Sequence, residues 1–251
     1  MFRSLLFLVA FYLNTALFLV LGSWLLAAPR SWAMEGLRLH ALASMWLLRV
    51  ICAVKCEVRG REKLPPGACL IAAKHQSAWD TFGLIPIFRD PAMVMKAELG
   101  AIPFYGWFSH KFEHIFIRRD RGPTALKQLI RDARQRAAAG REIVIFPEGT
   151  RRPPGAQPDY KPGFLALYEG LALPCVPVAL NSGLFWPRRS ILRYPGTIVV
   201  EILDPIPPGL ERAQARRLIQ ERIEAACGRL IDEARAAPNP PPLPAGAAAM
   251  T

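Results

Sequence analysis

The chain has 251 residues, enough for one large domain or for one domain with a small appendage. Its formal net charge is +12, of which residues 1–54 contribute only +3. A basic excess suits an anionic bilayer, a phosphorylated substrate or nucleic acid. Nucleic acid is the weakest of the three, because the chain has neither a zinc-ligand spacing nor a basic run interleaved with aromatic residues. The five cysteines are scattered and odd in number, which favours core residues in a reducing compartment over a disulfide framework.

Two hydrophobic segments open the chain. Phe2 to Ala28 is almost entirely apolar, and its length suits a helix that spans a bilayer or lies within one leaflet. Pro29 ends this helix, Ser31 is placed to cap a second one, and Trp32 to Ala53 is again helical in its pattern. Residues 1–54 therefore predict a membrane-associating hairpin of two helices, seated in one leaflet. A cleaved signal peptide and a single spanning anchor followed by a soluble helix are the alternatives.

From residue 55 onward, short apolar segments alternate with helical patterns. The clearest helix runs from about Pro123 to Ala139, with Gly140 suited to the position after its end, and another covers about Glu211 to Ala236. This alternation predicts an α/β fold, a mostly parallel central sheet of about seven strands covered by helices on both faces. We expect this domain to occupy residues 55–236 and the Pro/Ala-rich residues 237–251 to be disordered. The predicted strands are Val54 to Val58, Ala68 to Ala73, Ala92 to Met95, Ile115 to Ile117, Ile143 to Phe146, about Pro174 to Leu180, and Thr197 to Leu203.

A histidine and an aspartate follow the second predicted strand. His75 leaves the end of that strand, and Asp80 lies five residues later, before a short helix expected over Thr81 to Phe88. On one continuous helix, residues five apart diverge by about 140° and would not meet. A bend between strand and helix lets the imidazole fold back over the first turn, so that the two side chains form a base and its orienting carboxylate. The alternative is a capping box with Ser77 as N-cap, in which His75 is only a turn residue.

A second loop of interest follows the strand Ile143 to Phe146. Its sequence is Pro147-Glu148-Gly149-Thr150-Arg151, and in α/β sheets the loops beyond the carboxyl ends of strands hold ligands. The loop offers a carboxylate, a flexible glycine, a hydroxyl and an arginine, whose guanidinium binds phosphate through two parallel charge-assisted bonds. The alternative interpretation is a tight turn with a surface salt bridge.

The two motifs together, in this order and about seventy residues apart, resemble those of the glycerolipid acyltransferase family. Two further blocks match the family: Lys96-Ala97-Glu98-Leu99 continuing to Ile115-Phe116-Ile117, and Val176-Pro177-Val178. The resemblance covers about residues 55–205, and an N-terminal two-helix membrane motif is also a feature of the family.

The resemblance implies transfer of a fatty acyl group from an acyl thioester, acyl-CoA or acyl-carrier protein, to the sn-2 hydroxyl of 1-acylglycerol-3-phosphate, giving phosphatidic acid. It implies His75 as the base and Asp80 as its orienter. It implies no metal and no resident cofactor, and a location at the bacterial inner membrane with the active site on the cytoplasmic face. The residues implied in substrate binding are Lys96, Arg119, Glu148, Gly149, Thr150 and Arg151.

Two positions depart from the family pattern. Lys74 precedes the histidine where the family usually has asparagine, and Arg118 stands where it usually has aspartate. The pair Arg118-Arg119 is more like the glycerol-3-phosphate acyltransferases, so glycerol-3-phosphate or another lysolipid stays open as the acceptor. A non-enzymatic lipid-binding protein would explain the hairpin but not the His–Asp spacing. A lipid hydrolase would normally show Gly-x-Ser-x-Gly, which the chain lacks.

Overall fold

The computed structural model describes residues 1–118 and 122–242. Its strands form one sheet in the order β1-β7-β6-β2-β5-β3-β4, and every pairing is parallel except that of β6 with β7. The predicted α/β fold with a mostly parallel sheet of about seven strands is thereby confirmed. The strands are β1 Val54–Arg59, β2 Leu70–Ala73, β3 Pro91–Lys96, β4 Ile115–Ile117, β5 Glu142–Ile145, β6 Cys175–Leu180 and β7 Gly196–Ile202.

The two long amphipathic helices of the domain lie within one residue of their predicted bounds. Gly140 follows the first of them with φ +78°, in the left-handed region that favours glycine. The α-helices of the described residues are α1 Phe2–Leu21, α2 Arg30–Cys52, α3 Asp80–Gly83, α4 Tyr105–Lys111, α5 Gly122–Ala138, α6 Pro162–Leu171, α7 Ser182–Phe185 and α8 Arg212–Arg235.

Helix α3 is a single turn, so the prediction of a helix over Thr81 to Phe88 was wrong. Pro86 explains the early end, because proline lacks an N–H donor and disfavours helical geometry in the residue before it. At Gly83 an added Cβ would lie 2.4 Å from the Trp79 ring, so that ring packs directly on the helix backbone. The short helix places Asp80 at its first residue, immediately beyond the loop that follows β2.

The N-terminal residues form two helices that pack against each other. The first ends earlier, and the second begins earlier, than the sequence predicts. Helix α1 ends at Leu21, and a 3₁₀ turn over Ser23–Leu26 connects it to α2. Helix α2 begins at Arg30 directly after Pro29, so Ser31 lies inside the helix and does not cap it. The two helices are joined by a polar contact between Asn14 Nδ2 and Ser44 Oγ at 2.9 Å.

Helix α1 packs on the α/β domain along most of its length. The ring of Phe7 lies 5.3 Å from Trp186, that of Phe11 lies 5.4 Å from Phe82, and Phe18 contacts α4. By length and composition, α1 is long and apolar enough to cross a membrane. In this structure one side of α1 packs on the domain and its other side is exposed.

Each face of the sheet carries its own hydrophobic core. Alternation along β2 sends Ile71 and Ala73 into the core shared with α1 and α2, and Leu70 and Ala72 into the core shared with α5, α6 and α8. This alternation decides which layer receives the side chains that follow β2.

Candidate active site

Four segments that follow strands meet at the carboxyl edge of the sheet. Because β2, β3, β5 and β6 run in parallel, the residues after them share one edge. His75 follows β2, Lys96 ends β3, Phe146 opens the loop after β5, and Ser182 lies just beyond β6. The sequence motifs that are far apart along the chain are therefore brought together by the topology of the sheet.

His75 and Asp80 form a hydrogen-bonded pair. His75 Nδ1 lies 2.9 Å from Asp80 Oδ2, and the same oxygen accepts the backbone N–H groups of Gln76 and Ser77 at 2.7 and 2.9 Å. Ser182 Oγ donates to Asp80 Oδ1 at 2.5 Å. An ionised carboxylate only accepts hydrogen bonds, so His75 Nδ1 carries the ring proton and Nε2 keeps its lone pair.

The ring of His75 is also held by stacking. It lies on Phe146 with 3.9 Å between the ring centroids and 16° between the planes. The backbone carbonyl of His75 accepts the N–H of Arg152 at 2.8 Å. Asp80 is fully buried while the His75 side chain is 12% exposed. The carboxylate is thus shielded behind an imidazole that reaches a cavity, which is the arrangement of a base with an orienting acid.

The capping interpretation of these residues holds only in part. Helix α3 begins at Asp80 with Trp79 in the capping position, and no side chain caps it. Ser77 Oγ accepts the N–H of Trp79 at 3.2 Å, and Asp80 accepts the N–H of Ser77. Asp80 therefore serves the local turn and His75 at the same time.

A cavity of about 890 Å³ opens in front of His75. Its walls are largely apolar and include residues of β3, α5 and the segment before α6, which suits an acyl chain. The predicted substrate contacts that line it together with His75 are Lys96, Gly149, Thr150 and Arg151. Gly149 has φ +64°, which explains why the loop needs glycine there.

The cavity carries positive charge close to the imidazole. Within the described part of the chain, neither Lys96 nor Arg151 has a carboxylate partner, so both cations are free to bind an anion. The predicted contact Arg119 lies outside the described residues.

Glu148 does not line the cavity, unlike its neighbours in the loop. Its carboxylate is 2% exposed and accepts a hydrogen bond from Lys74 Nζ at 3.0 Å. Burial raises the pKa of Glu148, and Lys74 offsets this only in part. Glu148 was predicted to bind substrate, but its carboxylate is turned away from the cavity and binds Lys74 instead.

Two residues that support the His75–Asp80 pair were not predicted from the sequence. Ser182 holds the second oxygen of Asp80, and Gln76 Oε1 accepts the N–H of Gly183 at 3.0 Å, which joins the His75 loop to α7. Ser182 lies outside the sequence motifs, and Gln76 occupies one of the unspecified positions between His75 and Asp80. Their signal is positional, since polar residues directly after a buried strand such as β6 fall at the same edge as His75.

The sequence and the fold of this chain are similar to those of known acyltransferases. A family model described as Acyltransferase matches residues 55–181. A 1-acyl-sn-glycerol-3-phosphate acyltransferase of Pseudomonas aeruginosa is 38% identical over 182 residues, 72% of this chain and 71% of the relative. A lyso-ornithine lipid O-acyltransferase of the same organism is 28% identical over 204 residues, 74% of this chain and 78% of the relative. The crystal structure of the 1-acyl-sn-glycerophosphate (LPA) acyltransferase PlsC from Thermotoga maritima shares the fold, with a TM-score of 0.78 at 22% identity, covering 94% of this chain and 98% of that chain.

Proposed function

Because the chain belongs to the acyltransferase family, we propose that it transfers a fatty acyl group from an acyl thioester to the sn-2 hydroxyl of 1-acylglycerol-3-phosphate, giving phosphatidic acid. The observation that carries the proposal is one cavity that holds a carboxylate-paired imidazole and two cations, Lys96 and Arg151, that have no acidic partner among the described residues. The Pseudomonas relative that is 38% identical and named for this reaction supports it.

The proposed chemistry needs a base, because a hydroxyl is a poor nucleophile at neutral pH. His75 Nε2 takes the proton of the acceptor hydroxyl as its oxygen attacks the thioester carbonyl carbon. The carbon–sulfur bond then breaks, the thiolate leaves, and the imidazolium returns the proton to it. A thiolate is a good leaving group, with a pKa of about 8.5 for a simple thiol. Asp80 orients the ring and stabilises the imidazolium between the two steps.

In this proposal the acceptor phosphate binds to the cations of the cavity. Arg151 presents a planar guanidinium that matches phosphate geometry, and Lys96 adds a second positive charge on the same cavity. Arg119 stays a prediction as a third contact. The acyl donor, acyl-CoA or acyl-carrier protein, presents its thioester to the same cavity.

The acceptor is a membrane lipid, so we place the enzyme at a bilayer. Large apolar side chains are exposed on the outer face of the N-terminal helices, which suits insertion into one leaflet. The basic excess of the chain suits an anionic surface. We propose the bacterial inner membrane, with the cavity on the cytoplasmic face where acyl thioesters are made.

A second acceptor is favoured by one specific observation, the 28% identity to a lyso-ornithine lipid O-acyltransferase. Such a lysolipid offers a hydroxyl for the same His75 chemistry without a phosphate for Arg151. The dependence of turnover on an acceptor phosphate therefore distinguishes the two acceptors.

The test is an assay of purified protein in detergent with one acyl thioester and three acceptors: 1-acylglycerol-3-phosphate, glycerol-3-phosphate and a lyso-ornithine lipid. We expect phosphatidic acid from the first and little product from the other two. Free fatty acid without lipid product would indicate a hydrolase. Absence of any turnover, with lysolipid bound, would indicate a lipid-binding protein and contradict the proposal.

A further inference from the structure

A buried ion cluster lies next to His75 along the chain, in the layer of α5, α6 and α8. Lys74 follows β2 directly, and strand alternation sends its side chain toward α8 while His75 faces the cavity. Lys74 Nζ donates to Glu148 Oε1 at 3.0 Å and to the two oxygens of Glu224 at 2.8 and 3.0 Å. These three bonds use every donor of the ammonium group, so its position is fixed.

The cluster joins four segments that are distant in the sequence. Lys74 ends the β2 segment, Glu148 lies in the loop after β5, and Glu224 lies on α8. Tyr160, which precedes α6, donates its hydroxyl to Glu224 Oε1 at 3.0 Å. One ammonium therefore fixes the spacing of two loops that line or support the cavity.

A contribution to stability does not by itself explain this cluster. One ammonium faces two carboxylates, and Glu148 Oε2 is buried without a hydrogen-bond partner among the described residues. Burial alone would lower the pKa of Lys74, yet the two carboxylates outweigh it and raise that pKa above its ordinary value. Buried ion pairs often contribute no more stability than apolar side chains of the same volume. What such a cluster does provide is a defined geometry.

Two consecutive residues, Lys74 and His75, connect the cluster to the loop that lines the cavity. Lys74 holds Glu148 at the start of the segment that carries Arg151, and the carbonyl of His75 holds Arg152 at its end through the 2.8 Å bond to the Arg152 N–H. The segment between these two points contains Gly149, whose left-handed conformation gives the backbone freedom that other residues lack. Without the contact at Glu148, the segment keeps the stacking of Phe146 on His75 and the bond of Arg152, but it loses the charged hydrogen bond that holds Glu148 itself.

We propose that Lys74 is a positioning residue for the acceptor: through Glu148 it holds the segment Gly149 to Arg151 at a fixed distance from His75. This inference rests on the proposed function, since it takes Arg151 as the contact for the acceptor phosphate. Lys74 itself does not line the cavity, so it acts in this proposal through Glu148 and not by touching the acceptor.

The first experiment compares Lys74→Met with the wild-type enzyme. Methionine keeps the length of the side chain and removes the charge and the three donors. We expect the KM for 1-acylglycerol-3-phosphate to rise at least tenfold, while the KM for the acyl thioester stays within twofold. Hydrogen exchange of the Arg152 amide should become at least tenfold faster. The matched control is Lys63→Met, which breaks the exposed pair with Asp204 and should leave all three quantities unchanged.

A double variant separates positioning from stability. Lys74→Met with Glu148→Gln removes the buried charge that the single variant leaves without a counterion, so its Tm should return toward the wild-type value. Its acceptor KM should nevertheless stay at least tenfold raised, because residue 148 is still not bound to residue 74. A normal acceptor KM in either variant would overturn the proposal, as would recovery of acceptor KM in parallel with Tm. Failure of both variants to fold would also overturn it, since Lys74 would then be a determinant of stability.

The same experiment distinguishes this inference from the proposed function. A wild-type enzyme that makes no phosphatidic acid contradicts the proposed function, whatever the variants do. A wild-type enzyme that makes it, with Lys74→Met showing unchanged acceptor KM and unchanged exchange at Arg152, contradicts only the role of Lys74.

Discussion

At the scale of single residues, two histidines line the cavity, His75 and His114, and of the two it is His75 that is paired with a carboxylate. We expect His75→Ala to lower kcat by at least two orders of magnitude, the usual effect of losing a general base. The fold should persist, because the imidazole is stacked on one ring and makes a single side-chain hydrogen bond. The measurement is kcat with saturating substrates, with the thermal unfolding curve as the control for folding. Activity near the wild-type level would show that another group takes the proton.

Asp80→Asn tests the orienting role apart from the local turn. The amide oxygen can keep the position that accepts the backbone N–H groups of Gln76 and Ser77, and the amide nitrogen can donate to Ser182, whose hydroxyl also accepts. The variant should therefore fold, with a kcat at least tenfold lower because the imidazolium loses its counterion. Full activity would make Asp80 a turn residue and remove the argument for a paired base.

Arg151 tests the assignment of the two substrates. A lost charge-assisted contact of about 1.5–3 kcal/mol corresponds to a factor of roughly 10–150 in affinity. Arg151→Ala should raise the acceptor KM by that factor and leave the donor KM within twofold, and Arg151→Lys should recover only part of the loss. The control is Arg131→Ala on the exposed face of α5. An unchanged acceptor KM with a raised donor KM would place the loop at the acyl donor instead.

At the scale of elements, the strands were predictable because they are continuous apolar runs. Segments such as β2 and β5 are buried on both faces, so their sequence carries no competing signal. Helix α3 is shorter than predicted, because Pro86 lies inside the predicted range and ends the helix early. The bonds of Lys74 to Glu148 and to Glu224 were not predictable. The three residues are each more than seventy positions apart in the sequence, and only the fold brings them together.

The N-terminal helices are tied to the domain by an ion pair whose effect depends on pH. Arg30 at the start of α2 binds both oxygens of Asp90 at 2.9 and 2.6 Å, and Arg141 lies 3.3 Å from the same carboxylate. Partial burial alone would raise the pKa of Asp90, but the two arginines outweigh it, so this pKa lies below its ordinary value of 3.8. A lowered acid pKa means that the stabilisation is present above pH 3.8 and is lost as the pH falls through the folded-state value.

We therefore expect Asp90→Asn to lower the free energy of unfolding at pH 7 by roughly 1–2 kcal/mol, a value discounted for the partial exposure of the pair. The difference from the wild-type protein should narrow as the pH falls below about 4. The measurement is urea unfolding in detergent at pH 7 and pH 3, with Asp204→Asn as the exposed control. A difference that does not change with pH would show that the contribution of Asp90 is not electrostatic.

At the scale of the whole molecule, the N-terminal helices serve both the core and the membrane. Phe7 and Leu48 are buried in the core that supports the β2 segment, so deletion of residues 1–54 would remove part of the domain's own packing. Membrane binding is therefore better tested by substitutions on the exposed face. Trp24 and Trp32 meet there at 6.2 Å between ring centroids, and each is more than half exposed.

Tryptophan partitions strongly into the membrane interface, and burial of a large apolar side chain contributes about 1.5–3 kcal/mol. Trp32→Ser should weaken binding to vesicles by a factor of roughly 10–150, while Trp32→Phe, which keeps an aromatic ring, should recover much of it. Binding should also increase when the vesicles contain anionic lipid, and added salt should remove that increase but not the contribution of the tryptophans. The measurement is sedimentation of the full chain with neutral and anionic vesicles at low and high salt. If Trp32→Ser binds like the wild-type protein and all binding is lost at high salt, the basic surface holds the enzyme at the membrane and the apolar face of the helices does not.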